Sequence, residues 1–140
     1  MAKDNEVITV LLQKLEDYLK SLKPYKKIDQ KELEESNELL AFIERRLQLA
    51  AQVCIDLGNH LISIYSFKSP ESYAEIFDIL AKEKVISKEL SLTMRKIVGF
   101  RNILVHDYLS VDVKIVKDVL HNTLGYFERF SSAIVRFIKR

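Results

Sequence analysis

The chain has 140 residues, 48% apolar and 30% charged, with a net charge of +2. This is an ordinary globular composition with enough chain for a real core, and one domain over residues 1–140 is the expectation. The near-neutral charge argues against strong nonspecific nucleic-acid binding, while leaving room for a local basic patch.

Apolar spacings of three and four dominate and strand-like alternation is nearly absent. The chain therefore reads as all-α, an antiparallel bundle of about five helices with one long central helix. The first helix runs from about Asn5 to Leu22, with Val7, Val10, Leu11, Leu15, Tyr18 and Leu22 on one side, and Pro24 ends it. The second begins near Asp29, which with Glu32 resembles a capping box, and continues to about Tyr65. It carries two apolar stripes. Leu40, Ile43, Leu47, Ala51, Cys54, Leu61 and Tyr65 form one; Leu39, Phe42, Leu49, Val53, Leu57 and Ile64 form the other. A helix apolar over so wide an arc is buried on more than one side, with room for a second subunit. Ser69-Pro70 opens the third helix as N-cap and first helical residue, and the helix stops near Glu83. The fourth starts after Ser87. The fifth, capped by Ser110 or Asp112, runs through Phe127 and Phe130 to Phe137.

The fourth helix carries the most informative residues, Gly99 to Tyr108. Leu90, Met94, Ile97, Arg101, Leu104 and Tyr108 follow one seam in steps of four and three. Arg101 thus fills an apolar slot. Asn102 and His106, four apart, are neighbours on an adjacent side. Gly99 costs the helix about 1 kcal/mol and allows another backbone to come close. A guanidinium in such a seam needs partners. One reading is an internal ion pair with Asp56 or Asp107, His106 being simply hydrogen-bonded. The other is an anion site, in which arginine grips a phosphate and histidine carries a proton near neutral pH. Arginine and histidine without a carboxylate pair or a metal-ligand cluster suit RNA cleavage by the neighbouring 2′-hydroxyl.

Other polar residues read more plainly. Asp56 and His60 are expected to hydrogen-bond inside the bundle or at a subunit face, in reach of Arg101. His121 sits on a solvated face, and Cys54, the only cysteine, is buried and inert. Without a disulfide partner, a reducing cytoplasm is the expected setting. Arg45-Arg46 and the basic end from Arg136 to Arg140 are solvated charges or phosphate contacts. No signal-peptide pattern appears and no apolar run approaches the roughly 20 residues of a membrane helix.

Arg101, four residues, His106, one residue and Tyr108 spell R-x-x-x-x-H-x-Y. Within Gly-Phe-Arg-Asn-x-Leu-Val-His-x-Tyr this resembles the HepT branch of the HEPN superfamily. Glu44-Arg45-Arg46, the stretch from Cys54 to Ile62, and Ser72-Tyr73-Ala74-Glu75 are similar as well, so the resemblance covers nearly the whole chain. It implies the toxin of a toxin–antitoxin pair, a metal-independent endoribonuclease acting on tRNA or mRNA without a cofactor. It further implies a homodimer in which two motif helices meet. By matching position Arg101 and His106 are catalytic, and Asn102 and Asp107 support them. The implied partner is an MNT-type nucleotidyltransferase antitoxin that transfers AMP to Tyr108. An adenylyl group there would set bulk and negative charge where the RNA phosphate must sit. The alternative is a noncatalytic helical subunit of a nucleotidyltransferase complex, binding nucleic acid or nucleotide through the same pair.

Overall fold

The computed structural model describes residues 2–106 and 112–140. Over these the chain is all-α: α1 (Ala2–Leu22), a short 3-10 turn (Lys23–Tyr25), α2 (Gln30–Glu35), α3 (Asn37–Ile64), α4 (Tyr73–Lys82), α5 (Lys88–His106) and α6 (Val113–Lys139). Asp29 caps α2 by accepting the Glu32 N–H at 2.9 Å. The helix expected to run unbroken from there to Tyr65 instead breaks at Ser36. Ser36 is extended (φ −133°, ψ 97°), and its Oγ accepts the Leu39 N–H at 3.2 Å, opening α3. Serine offers the backbone a local partner and so favours such a cap over a helix interior. A second boundary also moves. α4 starts after Ser72, whose Oγ accepts the Glu75 N–H at 3.1 Å, and not at Ser69-Pro70. Two serine caps compete here, and the one followed three residues later by glutamate prevails. Ser87 and Asp112 cap α5 and α6 as expected, accepting from the N–H groups of Leu90 and Lys114.

The two stripes of α3 do bury it on several sides: α3 packs against α1, α2, α4, α5 and α6. Ile43, Leu47, Cys54, Leu57 and Leu61 are wholly or almost wholly enclosed. The Phe77 and Phe130 rings meet edge-on at 5.6 Å, joining α4 to α6 across the core. Gly58 lets α4 sit close on α3, since a Cβ there would overlap Ile76 Cγ2. Among the described residues no helix is long and apolar enough to cross a membrane.

Candidate active site

The seam of α5 is buried as its spacing predicts: Leu90, Met94 and Ile97 are enclosed, and Leu104 packs partly against the core. Arg101 enters this seam where α5 crosses the middle of α3. Its Nη2 donates to Gln52 Oε1 at 2.6 Å and its Nη1 to Asn102 Oδ1 at 3.1 Å. The Tyr73 ring, at the start of α4, lies 5.4 Å from the guanidinium carbon. Three helices thus hold one cation. Arg101 Nε is buried without a hydrogen-bond partner among the described residues.

This arrangement replaces the expected direct contact with Asp56. Gln52 stands between the two: its Nε2 donates to Asp56 Oδ1 at 2.9 Å while its carbonyl oxygen faces Arg101. The amide is oriented by the carboxylate one turn on, yet among the described residues the guanidinium itself meets neutral groups. Asp107 and Tyr108 lie outside the described residues. Gln52 is the site residue that sequence reasoning missed. Its only signal was the four-residue step to Asp56 on the same side of the helix.

His106 is the last residue of α5 and is exposed, one turn beyond the half-buried Asn102. Among the described residues it makes no hydrogen bond. Gly99 is exposed on α5, and among the described residues nothing beyond its own stretch of helix comes within 4 Å of a Cβ built there. The close backbone approach expected at Gly99 is therefore not made by the described residues of this chain. Ile103, one turn on, is 47% exposed.

His60, expected to be hydrogen-bonded, has a buried Nε2 with no partner among the described residues, and it does not hold Arg101. Cys54 is fully enclosed, and burial together with the Asp56 charge pushes its thiol far above the ordinary range. Arg46 stacks over Tyr18 and Phe42 at 5.6 and 5.1 Å and is a packing residue. Glu44, two residues before it, has its carboxyl raised by burial. His121 Nδ1 sits 3.3 Å from the Lys26 carbonyl on the exposed side. Among the described residues no three His, Cys, Asp or Glu side chains cluster so as to hold a metal ion.

The sequence matches the family described as Ribonuclease HepT-like over residues 15–134. It is 38% identical over 88 residues to the mRNA nuclease HepT of Shewanella oneidensis, spanning 63% of this chain and 66% of that relative. It is 34% identical over 108 residues to the tRNA nuclease HepT of Aphanizomenon flos-aquae, spanning 76% and 72% of the two chains. The fold superposes on that of a tri-AMPylated Shewanella oneidensis HEPN toxin solved in complex with an MNT antitoxin. The TM-score is 0.85 at 28% identity, over 93% of this chain and 97% of that one. A toxin–antitoxin structure with AMP-PNP gives a TM-score of 0.86 at 27% identity, covering 94% and 98%. Motif, helix order and sequence match agree: the chain belongs to the HepT-like ribonuclease family of HEPN proteins.

Proposed function

We propose that this chain is the toxin of a toxin–antitoxin pair, an endoribonuclease that cleaves RNA without a metal ion. The observation that carries this reading is the setting of Arg101. Its guanidinium is fixed from three helices by Gln52, Asn102 and Tyr73, and among the described residues no carboxylate meets it, which leaves its positive charge for an incoming anion. A phosphodiester supplies that anion in the planar geometry a guanidinium grips best. The 2′-oxygen attacks the adjacent phosphorus while the bond to the 5′-oxygen breaks, leaving a 2′,3′-cyclic phosphate and a 5′-hydroxyl. His106 carries the proton between the attacking and leaving oxygens, and Arg101 takes up the charge that builds on phosphorus. Asn102 holds the guanidinium in register, and Asp107 belongs to the same supporting set by matching position.

The active form is a homodimer. Gly99 and Ile103 leave an open, partly apolar strip on the outer face of α5, one turn from His106, where a second motif helix fits. The antitoxin is an MNT-type nucleotidyltransferase that adenylylates Tyr108. The AMPylated HEPN toxin seen with its MNT antitoxin supports this, as does the position of Tyr108 two residues past His106.

The test is cleavage of total RNA by the purified chain in EDTA. Products ending in cyclic phosphate are expected. Binding without cleavage, with or without metal, would replace this reading by that of a noncatalytic subunit. Co-expression with the nucleotidyltransferase should add one or more AMP masses at Tyr108. An inhibited complex with that tyrosine bare would leave steric masking as the control.

A further inference from the structure

The N-terminal end of α5 carries a feature that the motif does not use. The connector from α4, the first turn of α5 and one face of α6 enclose a groove of about 990 Å³. On the α6 side, Arg129, Ser132, Arg136 and Arg140 follow one another in steps of three and four and form a single stripe. Facing them are Lys84 and Lys88. From Arg129 to Arg140 the stripe is about 16 Å long, at 1.5 Å per residue.

The charge of this groove is one-sided. Its lining holds five cationic side chains and one carboxylate, Glu128, which pairs with Lys23 at 3.1 Å. Arg129 meets Glu89 at 3.3 Å, an exposed pair of little worth. Lys84, Lys88 and Arg136 have no ion pair among the described residues. The Arg140 guanidinium carbon lies 3.8 Å from the Phe137 ring centre, and its Nη1 donates to the Phe137 carbonyl oxygen at 3.4 Å. A nearly neutral chain thus gathers five of its 22 lysines and arginines on one concave surface. Among the described residues none of the exposed large apolar side chains lies there, so the groove offers no such anchor of the kind a protein partner usually takes. Regularly spaced cations without an apolar anchor suit a phosphodiester backbone.

We propose that this groove is an exosite for RNA, holding the substrate backbone about 20 Å along α5 from Arg101 (13 residues separate Lys88 from it). The proposal rests on the ribonuclease reading above. Contacts so far from the reacting phosphorus bind ground state and transition state alike. The groove therefore sets the affinity for long RNA and its salt dependence, and leaves the chemical step alone.

The experiment combines Lys84→Gly, Lys88→Gln and Arg136→Gln. Lys84 has a left-handed backbone (φ 63°), so glycine removes its charge without strain. Binding of a labelled tRNA transcript is measured by anisotropy between 50 and 200 mM salt, in a His106→Ala background that prevents cleavage. The dissociation constant should rise about tenfold or more at the low-salt end, and the salt slope should fall by about 2, near 0.7 per lost phosphate contact. Lys88→Gln alone should lower the slope by about 0.7. With His106 restored, the loss should fall on KM for the transcript and not on kcat. Affinity and slope equal to those of the parent would overturn the proposal. So would intact RNA binding with lost affinity for the purified nucleotidyltransferase, which would assign the groove to an acidic protein surface. The binding measurement needs no cleavage, so a failure of the ribonuclease reading would be seen separately.

Discussion

The two ends of α5 hold their cations in opposite ways. At the C-terminal end one arginine is half-buried, tied to Gln52 and Asn102 and stacked by Tyr73. At the N-terminal end five exposed cations line an open groove, most of them with weak partners or none among the described residues. The difference matches the two tasks proposed for these ends. Stabilising charge at a reacting phosphorus needs a donor already aimed, because reorganisation would consume the gain. Holding a flexible polyanion needs charge density and tolerates loose geometry, because counterion release supplies the free energy.

Three substitutions at the fixed end sharpen this contrast, in falling order of effect. His106→Ala should lower RNA cleavage by about 10²–10⁴-fold, the usual span for a lost proton carrier. It should leave the urea midpoint unchanged, since His106 is exposed and makes no hydrogen bond among the described residues. Full activity in that variant would remove His106 from the chemistry. Gln52→Glu puts a carboxylate where the neutral amide oxygen now faces Arg101. The new ion pair should compete with phosphate and reduce kcat/KM about tenfold, or about 1.4 kcal/mol. Undiminished cleavage would mean that the neutrality of the arginine's partners is incidental. Gly99→Ala adds a methyl group into open space. It should raise the stability of the chain by up to about 1 kcal/mol, read from urea unfolding at high dilution. A lower midpoint would show that some group does press on Gly99.

Much of the fold was legible because helices are local. The seam Leu90, Met94, Ile97 and Arg101 follows from a 3.6-residue period alone, and so does the central place of α3, whose stripes are buried on several sides. The break at Ser36 was hidden because good helix formers stand on both sides of it, Leu33, Glu34 and Glu35 before and Glu38, Leu39 and Leu40 after. A single side-chain hydrogen bond decides it. The start of α4 was misread for a similar reason, since Ser69 and Ser72 are both competent caps.

At the site, the sequence by itself determined which chemistries stand together: arginine, amide and imidazole within six residues of one helix. It also spelled the arginine stripe of α6, because residues three and four apart must share a face. Tertiary structure alone decided what those groups meet. Gln52 reaches Arg101 across 49 positions, and an ion pair with Asp56 was the natural first expectation for a half-buried cation. Lys84 and Lys88 face Arg136 only because α4 folds back to deliver α5 against α6. Periodicity reports the direction in which a side chain leaves its own helix. Which group waits there depends on how helices distant in sequence pack to fill a shared core, and no local spacing encodes that.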